Sequence, residues 1–153
     1  MLKLRLKATI FVLSAALLFG AALAQSGTLE LAIDTAPVGL DPHLTTAFSS
    51  FAISGQIYDG LVEVNAALEV EPGLATSWTV SDDGLTYVFQ LREGVRFHNG
   101  RSMTADDVVY SFERIIDPET ASPQASRFAQ VGTAVATGEH EVTFTLTQQY
   151  APF

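Results

Sequence analysis

The stretch from residue 72 to residue 114 constrains the fold more than any other part of the chain. Large apolar side chains alternate on both sides of Ser81-Asp82-Asp83-Gly84, at Trp78, Val80, Leu85, Tyr87, Phe89 and Leu91. A period of two predicts strands, and turn residues of this kind predict that the two strands form a hairpin. The short apolar run 95–97, followed by the turn dipeptide Asn99-Gly100, predicts a third strand and a further turn.

The residues after this turn predict a capped amphipathic helix. Thr104 is a typical N-cap residue, and Asp106 and Asp107 carry the negative charge that the start of a helix favours. Apolar residues follow at helical spacing, at Val108, Val109, Phe112, Ile115 and Ile116. Pro118 ends the helix, and the opposite face, which includes Arg114, is left for water or partners.

The same stretch also carries a residue string with specific spacing. The string reads Pro72-x-Leu74-Ala75-x-x-Trp78, then Asp83-Gly84-x-x-Tyr87-x-Phe89-x-Leu91-Arg92-x-Gly94-Val95-x-Phe97-His98-x-Gly100, then Thr104-Ala105-x-Asp107-Val108. It resembles the signature of the peptide/nickel class of solute-binding proteins of ABC transporters. Ser102 stands where that family often has proline, a difference confined to a turn. On periodicity alone, any small unit of β-hairpins and a helix fits the pattern as well.

The resemblance implies a fold class, a function and partners. The expected fold is α/β (mixed α+β), as the N-terminal part of a two-lobed periplasmic-binding-protein-like fold with antiparallel β-hairpins packed on helices. The expected function is that of the substrate-binding component of an ABC importer, which reversibly captures peptides or a related solute for delivery to the membrane permease subunits. Members of the family close two lobes around the solute, so residues 25–153 are expected to form an incomplete N-terminal portion of such a domain, acting as a monomer. The solute stays open between peptide, nickel chelate, sugar and opine.

The first 24 residues predict export. Lys3, Arg5 and Lys7 precede an apolar run over 8–23, and Ala22-Leu23-Ala24 is a typical cleavage site. The run is shorter than the ~20 apolar residues that a membrane span needs, so the mature protein is not expected to be embedded in a membrane. The sequence contains no cysteine, so neither a lipid anchor on a cysteine nor a disulfide is expected. We therefore expect a periplasmic or secreted protein, cleaved after Ala24.

Charge excludes one class of partner. Five arginines and all 17 acidic residues lie beyond residue 24, which gives that part a formal net charge of five minus 17, or −12. Such a surface repels nucleic acid phosphates, so no nucleic acid partner is expected.

Candidate binding residues come from the segment before the hairpin. Residues 28–34 alternate and predict a first strand, after which a helix is predicted to begin near Thr45 and Thr46 and to end at a Gly60 cap. Its predicted apolar side comprises Phe48, Phe51, Ala52, Gly55 and Tyr58. The segment 61–64 predicts a short strand.

By the resemblance, the segment just after Asp41-Pro42 borders the ligand cleft, which makes Thr45 and Thr46 candidate ligand-binding residues. Two hydroxyls and free N–H groups at a helix start suit a carboxylate or an amide. The alternative is that either threonine only caps its own helix. Gln124, in the polar segment 118–132, is a further candidate by the same resemblance, against the alternative of a solvated loop.

The remaining sequence predicts a second hairpin and offers little for catalysis or metal binding. Strands over 133–136 and 142–147 flank turn residues, with Val142, Phe144 and Leu146 on one face. The three histidines, His43, His98 and His140, lack the spacing of a zinc site, and no cofactor or catalytic residue is expected. Two alternatives stay open: a secreted structural or interaction module without a small-molecule site, and a hydrolase that uses Asp41 and His43.

Overall fold

Antiparallel strands form the centre of the fold. The computed structural model describes Glu30 and residues 32–150, and the described residues from Ile33 onward belong to one compact unit. The strands are β1 Val62–Val64, β2 Val70–Pro72, β3 Ala75–Val80, β4 Thr86–Leu91, β5 Val131–Gly138 and β6 Glu141–Leu146. The helices are α1 Phe48–Ser54 and α2 Ala105–Ile116, and single 3-10 turns cover Pro118–Thr120 and Ala125–Phe128.

The strands form two antiparallel sheets. β1 pairs with β2, and the other four strands pair in the order β3-β4-β6-β5. In the larger sheet Phe89 lies opposite Trp78 on one side and opposite Val142 on the other. This register brings the apolar residues of one sheet face together, because side chains two positions apart along a strand point the same way.

The core lies between this face and α2. Phe112 of α2 packs edge-on against Phe144, with ring centroids 5.7 Å apart, and against Phe128 at 6.0 Å. Phe144 in turn packs edge-on against Phe89 at 5.8 Å. Edge-to-face geometry of this kind is favourable beyond the apolar area that it buries. The buried apolar residues are Ala75, Phe89, Leu91, Met103, Ala105, Phe112, Val131, Val142, Phe144 and Leu146.

The start of α2 is fixed by hydrogen bonds to one carboxylate. The backbone N–H of Thr104 donates to Asp107 Oδ2 at 2.9 Å, as in a capping box. Arg101 donates two hydrogen bonds to the same carboxylate, at 3.0 and 2.6 Å. These contacts confirm the predicted helix start at Thr104. Among the described residues no helix has the length and apolar character needed to cross a membrane.

The two predicted hairpins are confirmed. The strand predicted over 61–64 and the helix predicted to begin at Thr104 are confirmed as well. The predicted third strand over 95–97 is wrong, because this segment makes only an isolated bridge between Arg96 and Ser102. The turn at Asn99-Gly100 is present. Gly100 has a φ of 85°, a backbone angle that residues other than glycine rarely adopt.

Predictions for the segment before β1 need more correction. The strand predicted over 28–34 lies partly outside the described residues, and its described residues, Glu30 and 32–34, are not in a strand. The predicted helix is confirmed in part: it begins at Phe48 and ends at Ser54, and its C-cap is Gly55 rather than Gly60.

The predicted apolar side of α1 is exposed. Its buried residues are the small Ser50 and Ser54, while Phe48 is 87% exposed. The Ser50 hydroxyl accepts hydrogen bonds from the backbone N–H groups of Val38 and Gly39, at 3.1 and 3.4 Å. Ser50 therefore holds the preceding backbone from the inward side of α1.

Candidate functional site

The loop that precedes α1 is organised by its own side chains. In this loop (residues 41–45, the 41–45 loop), the backbone N–H of His43 donates to Asp41 Oδ1 at 2.9 Å. The backbone N–H of Ala47 donates to the Thr45 hydroxyl at 3.1 Å. Short side chains that accept from the backbone two residues later are typical of stable turns.

Arg114, in the last turn of α2, binds the beginning of this loop. Its guanidinium donates to both carboxylate oxygens of Asp41, at 3.2 and 2.7 Å. The same group lies 2.8 Å from the ring Nδ1 of His43. A two-pronged contact between arginine and a carboxylate fixes direction as well as distance.

The rest of the loop is held from the segment that follows α2. The Ser122 hydroxyl donates to the backbone carbonyl of His43 at 2.6 Å. The Gln124 side-chain amide donates to the backbone carbonyl of Thr45 at 2.5 Å. Ser122 and Gln124 are also joined, because the backbone N–H of Gln124 donates to the Ser122 hydroxyl at 3.1 Å. Both residues are buried, with 9% and 7% of their surface exposed.

These contacts set the charges of the loop. The hydrogen bonds from Arg114 lower the pKa of Asp41, and partial burial opposes them only in part. Burial lowers the pKa of His43, and the nearby positive charge of Arg114 lowers it further, against the opposite effect of Asp41. At neutral pH these lowered pKa values favour an ionised aspartate and a neutral imidazole, whose Nδ1 faces the Arg114 donor.

The structure brings two of the three predicted site residues together. Thr45 and Gln124 are both buried and are joined by the hydrogen bond to the Thr45 carbonyl. The Thr45 hydroxyl is engaged locally by Ala47, in line with the alternative of a local role, although Ala47 rather than Thr45 is the N-cap. Thr46, which follows Thr45 in the sequence, is exposed.

The same geometry bears on the hydrolase alternative. Both oxygens of the Asp41 carboxylate accept from Arg114, and the His43 ring faces the guanidinium through Nδ1. A catalytic triad needs the carboxylate to orient the imidazole, and here Arg114 occupies that place. Among residues 30 and 32–150, no group of three or more His, Asp or Glu side chains is arranged to hold a metal ion.

One open depression lies beside Arg114, and another lies beside the start of α1. The first has a volume of about 400 Å³ and is lined by Tyr110, Glu113, Arg114, Asp117 and Thr120. The second, of about 520 Å³, is lined by Ile33, Asp34, Thr35, Val38, Ala47, Phe48, Ser49 and Ala52. The second depression therefore includes Ala47 and Phe48, where the chain enters α1.

Sequence reasoning missed Arg114 and Ser122. The helical pattern leaves Arg114 for water or partners, and Ser122 lies in the polar segment 118–132, which is predicted to be mostly loop. The contacts join residues 73 and 79 positions apart. A local pattern carries no signal for a pairing over that distance.

Comparison with known proteins assigns this architecture to a family. The sequence model of bacterial extracellular solute-binding proteins, family 5 Middle, matches residues 69–153, which is more than half of the chain. Heme-binding protein A of Haemophilus influenzae is 47% identical over 91 residues, which cover 54% of this chain and 17% of that protein. Di/tripeptide-binding protein 2 of Pseudomonas aeruginosa is 36% identical over 149 residues, which cover 85% of this chain and 28% of that protein.

Solved structures agree. The crystal structure of NikZ from Campylobacter jejuni in complex with Ni(L-His) superposes with a TM-score of 0.74 at 27% identity, over 79% of this chain and 24% of that one. The chain thus spans less than a third of the length of these relatives. The mixed α+β architecture with antiparallel hairpins is that of the periplasmic-binding-protein fold, as expected. The chain belongs to family 5 of the bacterial extracellular solute-binding proteins.

Proposed function

We propose that the protein is the substrate-binding component of an ABC importer, which captures peptides or a related solute reversibly and delivers them to the membrane permease subunits. The observation that carries this proposal is membership of the solute-binding family across more than half of the chain. Its chemistry is non-covalent capture, without a catalytic step. Residues 1–24 serve as a signal peptide cleaved after Ala24, and residues 25–153 contribute to a solute-binding domain in the periplasm or outside the cell.

Within this chain, Thr45, Thr46 and Gln124 form the proposed ligand-binding patch. A hydroxyl and a side-chain amide each offer both a donor and an acceptor, as the backbone of a bound peptide requires. The exposure of Thr46 supports it as the residue that meets the solute. Thr45 and Gln124, buried and bonded to each other, form the floor behind it.

Thermal unfolding of the complete natural protein tests the function. We expect the unfolding midpoint to rise with trialanine concentration, because a ligand that binds only the folded state stabilises it by about 2.7 kcal/mol at one hundred times its Kd. A rise with a nickel–histidine chelate alone would keep the importer function and change the solute. An unchanged midpoint with trialanine, the nickel chelate, sugars and opines would contradict the proposal.

Substitution of Thr46 tests the patch. Thr46→Val removes one hydroxyl at nearly constant shape, and we expect it to weaken trialanine binding about fivefold, the equivalent of one hydrogen bond of about 1 kcal/mol. Thr79→Val, at an exposed position of β3, is the matched control and should leave the affinity unchanged. Equal affinities for the two variants in calorimetry would exclude Thr46 from the patch.

A further inference from the structure

We infer that Arg114, Ser122 and Gln124 act together as positioning residues that hold the 41–45 loop in the shape that presents Thr46 to the solute. We call this set the loop clasp. The inference rests on the proposed function, since it assigns the clasp a role in solute binding. Within the clasp each of the three acts by holding the loop, and Arg114 and Ser122 are not proposed to touch the solute.

The contacts of the clasp follow a regular pattern along the loop. Every second residue of the loop accepts a hydrogen bond from a member of the clasp. The pairs are Asp41 with Arg114, His43 with Ser122, and Thr45 with Gln124. The loop's own side chains accept from N–H groups inside and just after it, and the clasp supplies donors to the Asp41 carboxylate and to the carbonyls of His43 and Thr45. Backbone N–H groups of the loop are thus bonded from within, and these carbonyls are bonded by the clasp, which leaves the backbone little freedom to shift.

Apolar burial does not supply this restraint. Val38 before the loop and Phe48 after it are 84% and 87% exposed, and Leu44 within it is also exposed. A segment with so little buried apolar surface keeps one conformation only through specific polar contacts. Ser122 and Gln124 suit this role because they are buried, where a hydrogen bond is shielded from water and its loss leaves a carbonyl without a partner.

Arg114 is the member that combines two contacts. It reaches both oxygens of Asp41 and also the Nδ1 atom of His43, so one side chain restrains two loop residues. A lysine in its place would keep the charge but could not reproduce the planar, two-pronged geometry. The Arg114→Lys variant therefore separates geometry from charge.

The chain contains a matched control at the opposite end of α2. Arg101 makes the same two-pronged contact with Asp107, at 3.0 and 2.6 Å, but joins residues only six positions apart. This pair belongs to the start of the helix and none of its recorded contacts reaches the 41–45 loop. Arg101→Lys removes the same chemistry without touching the clasp.

Hydrogen exchange on the complete natural protein, without solute, tests the restraint directly. The probes are the amides of His43, Leu44 and Ala47, whose N–H groups bond within or beside the loop. We expect Arg114→Lys to speed their exchange at least tenfold while amides in β4 and β6 keep their rates, and Arg101→Lys to leave the loop unchanged. Unchanged loop exchange in Arg114→Lys, or an equal rise in the sheet, would overturn the clasp. If Arg114→Lys does not fold, Ser122→Ala is judged by the same rates.

Affinity for trialanine decides whether the restraint serves binding. We expect about tenfold weaker binding for Arg114→Lys and no change for Arg101→Lys, with both measured far below their unfolding midpoints. Faster loop exchange with unchanged affinity would overturn the positioning role. If the unsubstituted protein bound neither trialanine nor any other solute tested, the proposed function would fail while the exchange rates still judged the clasp, so the two failures are distinguishable.

Discussion

Two regions of the described chain are stabilised in different ways. One is the four-stranded sheet with α2, and the other is the segment from residue 33 to residue 58. In the first, aromatic rings of α2, β4 and β6 pack edge-on in a continuous row, and the apolar face of the sheet is buried. In the second, most of the large apolar residues are exposed and the buried positions of α1 are serines. The hydrogen bonds of the clasp connect this segment to α2 and to the residues that follow α2.

This difference separates what folds the chain from what shapes its site. Apolar burial supplies most of the stability of a domain and is insensitive to small shifts in direction. Hydrogen bonds contribute less free energy but fix distances and angles. A binding segment that must hold a few polar groups in a defined geometry is therefore expected to rely on the second kind of contact.

The largest effect should come from the aromatic row. Phe112→Ala removes a ring that is 6% exposed and packs on Phe128 and Phe144, and should lower the free energy of unfolding by about 3–5 kcal/mol. Phe48→Ala deletes an equally large but exposed ring and should change it by less than about 0.5 kcal/mol. Urea unfolding measures both. Similar losses for the two variants would abolish the contrast between the regions.

A smaller effect should come from a polar contact inside the sheet and helix unit. Asp107→Ala removes the acceptor for the Thr104 backbone N–H and for Arg101, and should lower the free energy of unfolding by about 1 kcal/mol. The exchange rates of the 41–45 loop should stay the same, because the contact lies at the other end of α2. Faster exchange in the loop would mean that the two regions are coupled through the helix.

The smallest effect should be a response of the loop to acid. The pKa of His43 is lowered in the folded protein, so below its ordinary pKa of about 6.5 the unfolded chain binds more protons than the folded one. The stability that this group contributes is therefore present above about pH 6.5 and declines as the pH falls below it. Asp41, whose pKa is also lowered, adds a loss only below its own ordinary pKa, near 4.

Unfolding of the protein and of His43→Gln at pH 7 and pH 5 measures this response. Glutamine does not titrate in this range, so the loss of stability between the two pH values should be smaller in the variant. An equal loss in both proteins would place the acid response outside the loop.

Much of the fold could be predicted from the sequence because its signals are local. The alternation from Trp78 to Leu91, the turn residues and the cap at Thr104 all act over a few positions, and the structure has the corresponding hairpin and helix. The sequence string could also identify the family, because it fixes many residue types at defined spacing.

The segment around α1 was predicted less well because its determinants are not local. Gly60 is predicted to cap a helix, but in the structure its carbonyl oxygen lies where a Cβ on Gly73 would be only 2.5 Å away, so Gly73 allows a close approach of two backbones. The exposed aromatic side of α1 resembles an apolar helix face in sequence. Thr45 and Gln124 were proposed singly, and their hydrogen bond joins residues 79 positions apart.

Photochemical cross-linking tests the central claim, that the segment held by the clasp faces the solute, most directly. The complete natural protein would be irradiated with a tripeptide carrying photo-leucine, with excess trialanine as competitor, and the labelled residues identified by mass spectrometry. The account predicts competitor-sensitive labels at Thr46 and its neighbours in the 41–45 loop and the first turn of α1. Competitor-sensitive labels confined to other parts of the protein, or the absence of any such label, would contradict it.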